Sequence, residues 1–280
     1  MSWRCTRVVL RLASPMHVGW RAFGNVKVTR PYLPGRTLWG ALTARLARDF
    51  PQLGGYEAAG QTVHRDLAFS YFYASLSPDS ITWPFEESWW EFSSLFLGSY
   101  ASTALADGRS KEDGSLHETE FLSPTVEDGR TVLIVGHVFE REGARLRWRE
   151  VIGRTQFGGE RSYGWGRVSL HQLSEGRTDA FGMALALGGA RPVVRWSGGE
   201  RALAHVRANP GWRVDGAIEP LVGRITNPQR GVPGAEHSGV EIAWTPGSRL
   251  REEAGVECTI AENGIWVLPA APAVSSRSAA

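Results

Sequence analysis

The stretch of residues 157–168, here called the glycine loop, mixes glycine, arginine and aromatic residues at close spacing. Its four glycines allow positive φ and a close approach of the backbone to a ligand. Its arginines carry planar, permanently charged donor groups that suit phosphate oxygens, and its aromatic rings offer faces on which a base can stack. The pattern predicts contact with RNA or single-stranded nucleic acid through Arg154, Gly158, Gly159, Arg161, Ser162, Tyr163, Gly164, Trp165, Gly166 and Arg167.

Other interpretations of this loop are open to different degrees. Glycines also occur in hairpin turns, and an aromatic residue between two glycines can simply cover the edge of a core. A dinucleotide fold or a phosphate-binding P-loop fits less well, because the Gly-x-Gly-x-x-Gly spacing and a Gly-Lys-Ser/Thr motif are both absent. The residues after the loop also predict a strand and not a helix.

A second candidate contact lies at the predicted start of a helix. Leu38, Leu42 and Leu46 recur at a spacing of four, which predicts a helix from Arg36 that Pro51 ends. Gly35 and Arg36 would then lie at its N-terminus, where free amide groups and the helix dipole favour a phosphate. The alternative is that Arg36 only solvates the first turn.

Composition sets bounds on the class of protein. The chain has 280 residues and a net charge of +2, and 29 of its 31 basic residues are arginine, since only Lys27 and Lys111 are lysines. Arginine enrichment fits RNA contact but also follows from genome composition, and the 12 tryptophans fit stacking, a core or a subunit interface alike.

Two cysteines exclude a disulfide framework. With no leader and no membrane-spanning stretch, we expect a soluble, cytoplasmic protein with no membrane partner.

The order of predicted elements indicates an α+β fold. Predicted strands cover residues 4–12, 26–29, 69–73, 116–122, 131–139 and 168–173, and predicted helices cover residues 36–50, part of 83–100, and 145–152. Residues 127–130 give a hairpin signal between the two central strands, and residues 104–115 predict a flexible polar loop. Strand, helix, hairpin, helix, strand is the order of a ferredoxin-like (RRM-like) domain.

Three regions are expected along the chain. Residues 1–175 form the ferredoxin-like domain, and residues 176–268 form a second, strand-rich half for which a degenerate ferredoxin-like unit is one option. Residues 269–280, rich in alanine, proline and serine, predict a disordered tail.

Three motifs together resemble the RAMP superfamily of CRISPR-associated RNA-binding proteins. They are Ser-Pro-Met-His-Val-Gly at residues 14–19, Tyr-Leu-Pro-Gly-Arg at residues 32–36 opening the helix, and the glycine loop. The resemblance spans residues 4–170, and the strand around residues 116–120 is also similar to one in effector-complex members. It implies a RAMP domain that binds CRISPR RNA with other subunits of a multisubunit ribonucleoprotein effector and meets target RNA indirectly. The second half looks most like the subunit that caps the 5′ handle of the guide RNA in type III complexes, which act in antiviral defence.

The sequence leaves enzymatic activity open and favours a non-catalytic role. Target-cleaving backbone subunits of the superfamily carry an aspartate in the loop that corresponds to residues 20–30, where this chain has no acidic residue. No metal site and no cofactor are therefore expected. The alternative is a metal-independent repeat-processing endoribonuclease, in which His17 with Tyr32 or Arg36 would supply the acid, base and cation. Two further alternatives are a backbone subunit that binds the guide and a scaffold that mainly binds proteins.

Overall fold

The computed structural model describes residues 1–103, 105–106, 110–111, 115–225, 236–237 and 239–270. Its α-helices are α1 (Gly35–Asp49), α2 (Gly55–Asp66), α3 (Trp89–Phe96) and α4 (Trp148–Val151). Short 3-10 turns cover Pro51–Leu53, Glu86–Ser88, Ile152–Arg154 and Arg161–Tyr163. None of the helices in these ranges is long and apolar enough to span a membrane.

The strands of the first part of the chain are β1 (Trp3–Leu12), β2 (Gly19–Phe23), β3 (Val26–Thr29), β4 (Tyr32–Leu33), β5 (Leu67–Phe69), β6 (Phe72–Ser75), β7 (Leu97–Ser102), β8 (Leu105–Ala106), β9 (Ser110–Lys111), β10 (His117–Leu122), β11 (Leu133–Arg141) and β12 (Val168–Arg177). Those of the second part are β13 (Asp179–Ala180), β14 (Met183–Ala186), β15 (Val193–Trp196), β16 (Val206–Arg207), β17 (Val214–Asp215), β18 (Ile218–Leu221), β19 (Arg224–Ile225), β20 (Glu236–His237), β21 (Glu241–Trp244), β22 (Arg249–Leu250), β23 (Val256–Ile260) and β24 (Trp266–Val267).

The first sheet has the ferredoxin-like order. Its strands follow β12-β1-β11-β6-β4, with β5 also paired to β11, and every pairing is antiparallel. Helices α1 and α2 lie between β1 and β5 in the chain, and α4 lies between β11 and β12. The predicted α+β, ferredoxin-like fold is therefore confirmed.

The alternation of β1 explains how this sheet is covered on both faces. Val8, Leu10 and Leu12 belong to a core that they share with Leu38, Leu42 and Leu46 of α1. The residues between them point the other way, and Trp3 and Cys5 join a second core built mainly from residues after position 180. Both sides of the central strand are therefore buried, as its burial pattern shows.

The predicted hairpin between the strands at residues 116–122 and 131–139 is wrong. A tight turn does form at Val126–Arg130, where the Val126 amide donates to the Arg130 carbonyl over 3.0 Å. The two strands then separate: β11 lies at the centre of the first sheet, while β10 joins a different sheet of order β2-β3-β10-β7. A turn signal specifies the local reversal but not the sheet that each arm joins.

Several other predicted elements differ in extent. The run at residues 69–73 is split into β5 and β6, and the predicted helix in residues 83–100 is only α3, followed by β7. Helix α2 was not predicted. Residues 104–115, the predicted flexible loop, lie largely outside the described residues, and so do residues 271–280 of the predicted tail.

The second half is strand-rich, as predicted, and its described residues contain no helix. An eight-stranded sheet of order β13-β14-β15-β23-β24-β16-β21-β18 places Val194, Trp196, Ile260 and Trp266 in the second core. The boundary at residue 175 stays a prediction; β12 continues across it to Arg177, and the second core contains residues from both sides of it.

Candidate nucleic-acid interface

Two of the sequence motifs meet in the structure, because the glycine loop packs on the segment of residues 14–17. The Gly159 amide donates to the His17 carbonyl over 2.8 Å, and the Gly166 amide donates to the Pro15 carbonyl over 2.6 Å. The Ser14 hydroxyl donates to the Gly164 carbonyl over 2.9 Å and accepts from the Arg167 amide over 2.9 Å. These bonds hold both arms of the loop against the end of β1.

Two glycines of the loop are required by close contacts. Gly158 has φ +84°, and a Cβ there would lie 2.2 Å from the His17 carbonyl oxygen. Gly166 has φ +75°, and a Cβ there would lie 1.9 Å from the Phe157 carbonyl oxygen. Since backbone atoms cannot move aside as a flexible side chain can, glycine at these positions primarily serves the folding of the loop.

The tip of the loop presents a short exposed turn. The 3-10 turn Arg161–Tyr163 lies between Glu160 at φ 52° and Gly164 at φ 82°. Its side chains project into solvent, and the Tyr163 ring is 79% exposed. Arg161 and Arg167 are exposed as well, and within the described part of the chain neither forms an ion pair. The loop thus offers two uncompensated guanidinium groups and one free aromatic ring.

Trp165 has a different environment from Tyr163. Its ring packs edge-on against Phe121 of β10, with centroids 5.1 Å apart, and lies 6.4 Å from the ring of Tyr100 in β7. The indole therefore attaches the glycine loop to the second sheet, which reduces the ring face left for a base. Of the two predicted stacking residues, Tyr163 has the freer face.

The loop has further attachments that the sequence did not reveal. Lys27 of β3 forms an ion pair of 2.9 Å with Glu160, which offsets the carboxylate next to the exposed turn. Tyr56 of α2 lies near Arg161: burial raises the pKa of the Tyr56 hydroxyl, and the charge of Arg161 opposes this rise. Ala59 and Val63, at a spacing of four, were a usable signal for α2.

His17 is a buried residue beneath the loop. It is 7% exposed, and its Nδ1 lies 2.7 Å from the Glu120 carbonyl, to which it must donate. Tyr32, one of its two possible partners in the nuclease alternative, is buried too, and its hydroxyl accepts from Arg30 over 3.1 Å. Burial raises the pKa of the Tyr32 hydroxyl, although Arg30 opposes the effect. With His17 buried and Tyr32 enclosed in the second core, the pairing of His17 with Tyr32 suggested for the nuclease is not assembled at a surface.

The N-terminus of α1 is covered by the second half of the chain. A Cβ on Gly35 would lie 2.6 Å from the carbonyl oxygen of Asn263, and the Arg36 guanidinium lies against Gly223. A cavity of about 180 Å³ remains beside them, lined in part by Val18, Arg36 and His205. Arg36 therefore borders a cleft and Gly35 is covered by Asn263, where the sequence predicted an open helix end.

Arg154 lies apart from the exposed turn. Its guanidinium pairs with Asp49 at the C-terminal end of α1 over 3.1 Å and donates to the Glu150 carbonyl over 3.2 Å. The structure thus brings together most of the predicted loop residues, but it places Arg154 at one end of α1 and Arg36 at the other.

A buried polar network forms one wall of the cleft. Glu219 accepts from Arg30 over 2.8 Å, from His205 Nε2 over 2.6 Å and from the Trp20 indole over 3.0 Å. His205 Nδ1 accepts from the Tyr71 hydroxyl over 2.7 Å. Burial alone would raise the pKa of Glu219, but the hydrogen bond from His205 and the charge of Arg30 lower it to about 2. Burial lowers the pKa of His205, so the histidine is neutral and the carboxylate is the anion.

The solved structures similar to this chain include two of type III-B complexes. One is a chain of the type III-B Cmr-beta complex bound to cognate target RNA, with 10% identity and a TM-score of 0.42 over 63% of this chain and 61% of that one. The other is from the apo state of the type III-B Cmr-beta complex, with 10% identity and a TM-score of 0.38 over 60% of this chain and 96% of that one. The chain thus spans about three fifths of the length of the first. TM-scores this low do not establish a shared fold. No protein-family model and no curated protein matches the sequence.

The geometry defines what this surface can do chemically. Exposed guanidinium groups next to an exposed tyrosine suit a polyanion with planar bases, and the tightly attached backbone holds them in a fixed relation. Ser14, Lys27 and Tyr56 are the additional residues that support this surface. Only the first lay in a motif that the sequence singled out.

Proposed function

We propose that this chain is a non-catalytic RNA-binding subunit of a type III CRISPR effector, and that it caps the 5′ handle of the guide RNA. The observation that carries the proposal is the exposed turn Arg161–Tyr163, held on residues 14–17 by the hydrogen bonds of Gly159 and Gly166. The resemblance of three sequence motifs to the RAMP superfamily also supports it; two of those motifs are this loop and residues 14–19.

In the proposed contact with RNA, the loop residues have different roles. Arg161 and Arg167 contact phosphate oxygens, and Tyr163 stacks on one base. Gly159, Ser162 and Gly164 let the RNA approach the backbone closely, while Gly158 and Gly166 allow the loop to fold. Trp165 supports the loop from below through its contact with Phe121.

The cleft beside Gly35 and Arg36 extends the proposed path. Val18 and Gly19 directly follow His17, on which the glycine loop rests, and both line the cleft. In the proposal an RNA segment runs from the exposed turn toward Arg36. Arg154, paired with Asp49, lies outside this path and contributes only general positive charge.

The environment of His17 supports a structural role over the nuclease alternative. A general base needs to reach a 2′-hydroxyl, and the buried His17 ring is fixed by Glu120 below the loop. We propose that its task is to hold the carbonyl that accepts from Gly159. Cleavage without metal is therefore not expected.

The test is a binding and cleavage assay with end-labelled repeat RNA, in Mg²⁺ and separately in EDTA. We expect retention without cleavage, and a lower affinity for RNA whose 5′ portion is scrambled. Arg161→Ala and Tyr163→Ala should each weaken binding about tenfold, which is near 1.4 kcal/mol. Arg145→Ala is the matched control, since that arginine is also exposed and lies outside the loop.

The outcomes separate the alternatives. Loss of one phosphate contact should lower the slope of log affinity against log salt by about 0.7 in Arg161→Ala. Metal-independent cleavage that disappears in His17→Ala would replace the proposal with the processing nuclease. Binding that is the same for all variants would favour a protein scaffold.

A further inference from the structure

The segment around the start of α3 carries acidic side chains and no basic ones. Between Arg65 and Arg109 the chain has no lysine, arginine or histidine, although it has 31 basic residues overall. Glu86, Glu87 and Glu91 are all exposed in this stretch. Where no arginine neutralises them, these carboxylates repel the phosphates of RNA, so the segment is unsuited to the ligand proposed for the glycine loop.

Two large indole rings are exposed among these carboxylates. Trp90 is 84% exposed and Trp89 is 41% exposed. The Trp89 ring stacks on Phe92, with centroids 6.1 Å apart, whereas Trp90 has no ring partner in the described part of the chain. Exposed tryptophans are typical of protein interfaces, where they bury a large area at a low entropic cost.

The three carboxylates differ in whether they already form ion pairs. Glu87 pairs with both Arg201 and Arg249, so its charge is compensated within the molecule. Glu86 and Glu91 form no ion pair in the ranges that the structure describes. Both lie within about one helical turn of Trp90. An unpaired carboxylate beside an exposed indole is suited to a guanidinium group, which can stack on the ring while it donates to the carboxylate.

The same surface continues into a groove. A cavity of about 460 Å³ is lined by Phe85, Glu86, Glu87 and the loops at residues 215–217 and 245–249. Phe85 forms part of its floor and is itself covered by Arg201, at 5.4 Å from the ring centroid. Glu86 lines this groove, and so do Arg201 and Arg249, which pair with Glu87. The groove therefore meets the start of α3 at Glu86.

We propose that Glu86, Trp89, Trp90 and Glu91 form a docking surface for an arginine-bearing segment of a protein partner. Charge complementarity selects this partner: the surface is acidic and aromatic, whereas the glycine loop is basic and aromatic. The partner's arginine stacks on Trp90 and pairs with Glu86 or Glu91. This inference goes beyond RNA binding and stands whether or not the glycine loop binds RNA.

The test uses the full chain labelled with 5-fluorotryptophan, with the Trp90 signal assigned by Trp90→Phe. The probe is an acetylated and amidated Gly-Arg-Gly-Arg-Gly peptide, and the control peptide replaces each arginine by the neutral isostere citrulline. We expect the Trp90 signal to shift saturably with the arginine peptide alone. The double variant Glu86→Gln/Glu91→Gln should bind at least tenfold more weakly, whereas Glu253→Gln, which changes an exposed carboxylate elsewhere, should not.

Three results would overturn the inference. The first is equal binding of the citrulline peptide, which would show that the guanidinium is not recognised. The second is a Trp90 signal that does not respond to the arginine peptide, or responds equally in the double variant. The third is a shift of the same signal by oligouridylate, which would make this surface a second RNA contact.

Discussion

The Gly159 amide donates a 2.8 Å hydrogen bond to the carbonyl of His17. This bond joins the glycine loop to the segment that follows β1, two regions that are more than a hundred residues apart in the chain. It also places His17 under the loop and not at its surface. The histidine that the sequence offered for catalysis therefore supports the proposed RNA-binding surface from beneath.

We expect Gly166→Ala to destabilise the fold by about 3 kcal/mol, since it adds backbone strain to a clash with the Phe157 carbonyl. The control is Gly24→Ala in the turn between β2 and β3. Gly24 also has positive φ, but a Cβ there meets nothing within 4 Å, so only about 1 kcal/mol should be lost. Urea denaturation measures both. Equal losses would show that the contact with Phe157 does not matter.

Trp165 and Tyr163 should separate stability from binding. Trp165→Ala removes a ring packed on Phe121 and should cost about 2 kcal/mol of stability. Tyr163→Ala removes a ring that is 79% exposed and should change stability by less than about 0.5 kcal/mol. Thermal unfolding of the two variants checks this. If Tyr163→Ala were the more destabilising, its ring would be part of the core and unavailable to a base.

Glu219→Gln should destabilise the protein by about 3 kcal/mol at neutral pH. The substitution leaves Arg30, whose side chain is 14% exposed, without its anionic partner. Chemical denaturation measures the loss, and Glu253→Gln serves as the exposed control. A near-neutral result for Glu219→Gln would mean that the network between β2, β3 and β18 does not hold the two parts of the chain together.

His137 should make the protein acid-sensitive. It is 1% exposed in β11, and burial, with the charge of Arg7, lowers its pKa to about 3 from the usual 6.5. The unfolded chain therefore takes up a proton that the folded chain excludes, so stability is fully present above about pH 6.5 and falls as the pH drops toward 3. The full difference corresponds to about 5 kcal/mol.

The measurement for His137 is the free energy of unfolding between pH 7 and about pH 4. In His137→Leu we expect a flatter dependence on pH than in the parent protein. His171→Leu, which replaces an exposed histidine in β12, should keep the parent slope. If His137→Leu kept it too, the acid sensitivity would come from other groups, among them His205, whose pKa burial also lowers.

Local sequence patterns predicted an element well where the spacing of its apolar residues follows the period of the helix or strand. The leucines of α1 at a spacing of four and the alternation of β1 predicted both elements to within about two residues, because the periodicity of burial follows directly from helix and strand geometry. Helix α2 was missed because its start, Gly54 and Gly55, resembles a loop. The aromatic run at residues 69–73 predicted one strand, but Ser70 and Tyr71 interrupt it. Hydrogen bonding to β11 nevertheless continues at Ser70, whose amide donates to the His137 carbonyl.

The candidate site was predicted in composition and only partly in arrangement. The sequence singled out Arg161 and Tyr163, which share the exposed turn of the glycine loop. It could not distinguish Tyr163 from Trp165, because whether a ring is free depends on Phe121, a residue of another sheet. It also could not show that Asn263 covers Gly35, since that contact joins two segments that are far apart in the sequence.

The sequence by itself determined the α+β class of the fold, the extents of β1 and α1, the position of the glycine loop, and the strand-rich character of the second half. These depend on short-range periodicity and on the conformations that glycine and proline allow. The tertiary structure decided which strands pair, so that β10 and β11 belong to different sheets, and which charges remain free, so that Arg161 is exposed while Arg154 pairs with Asp49. Such outcomes depend on burial and contacts between distant segments, because a strand or a charged side chain finds its partner only when the whole core assembles.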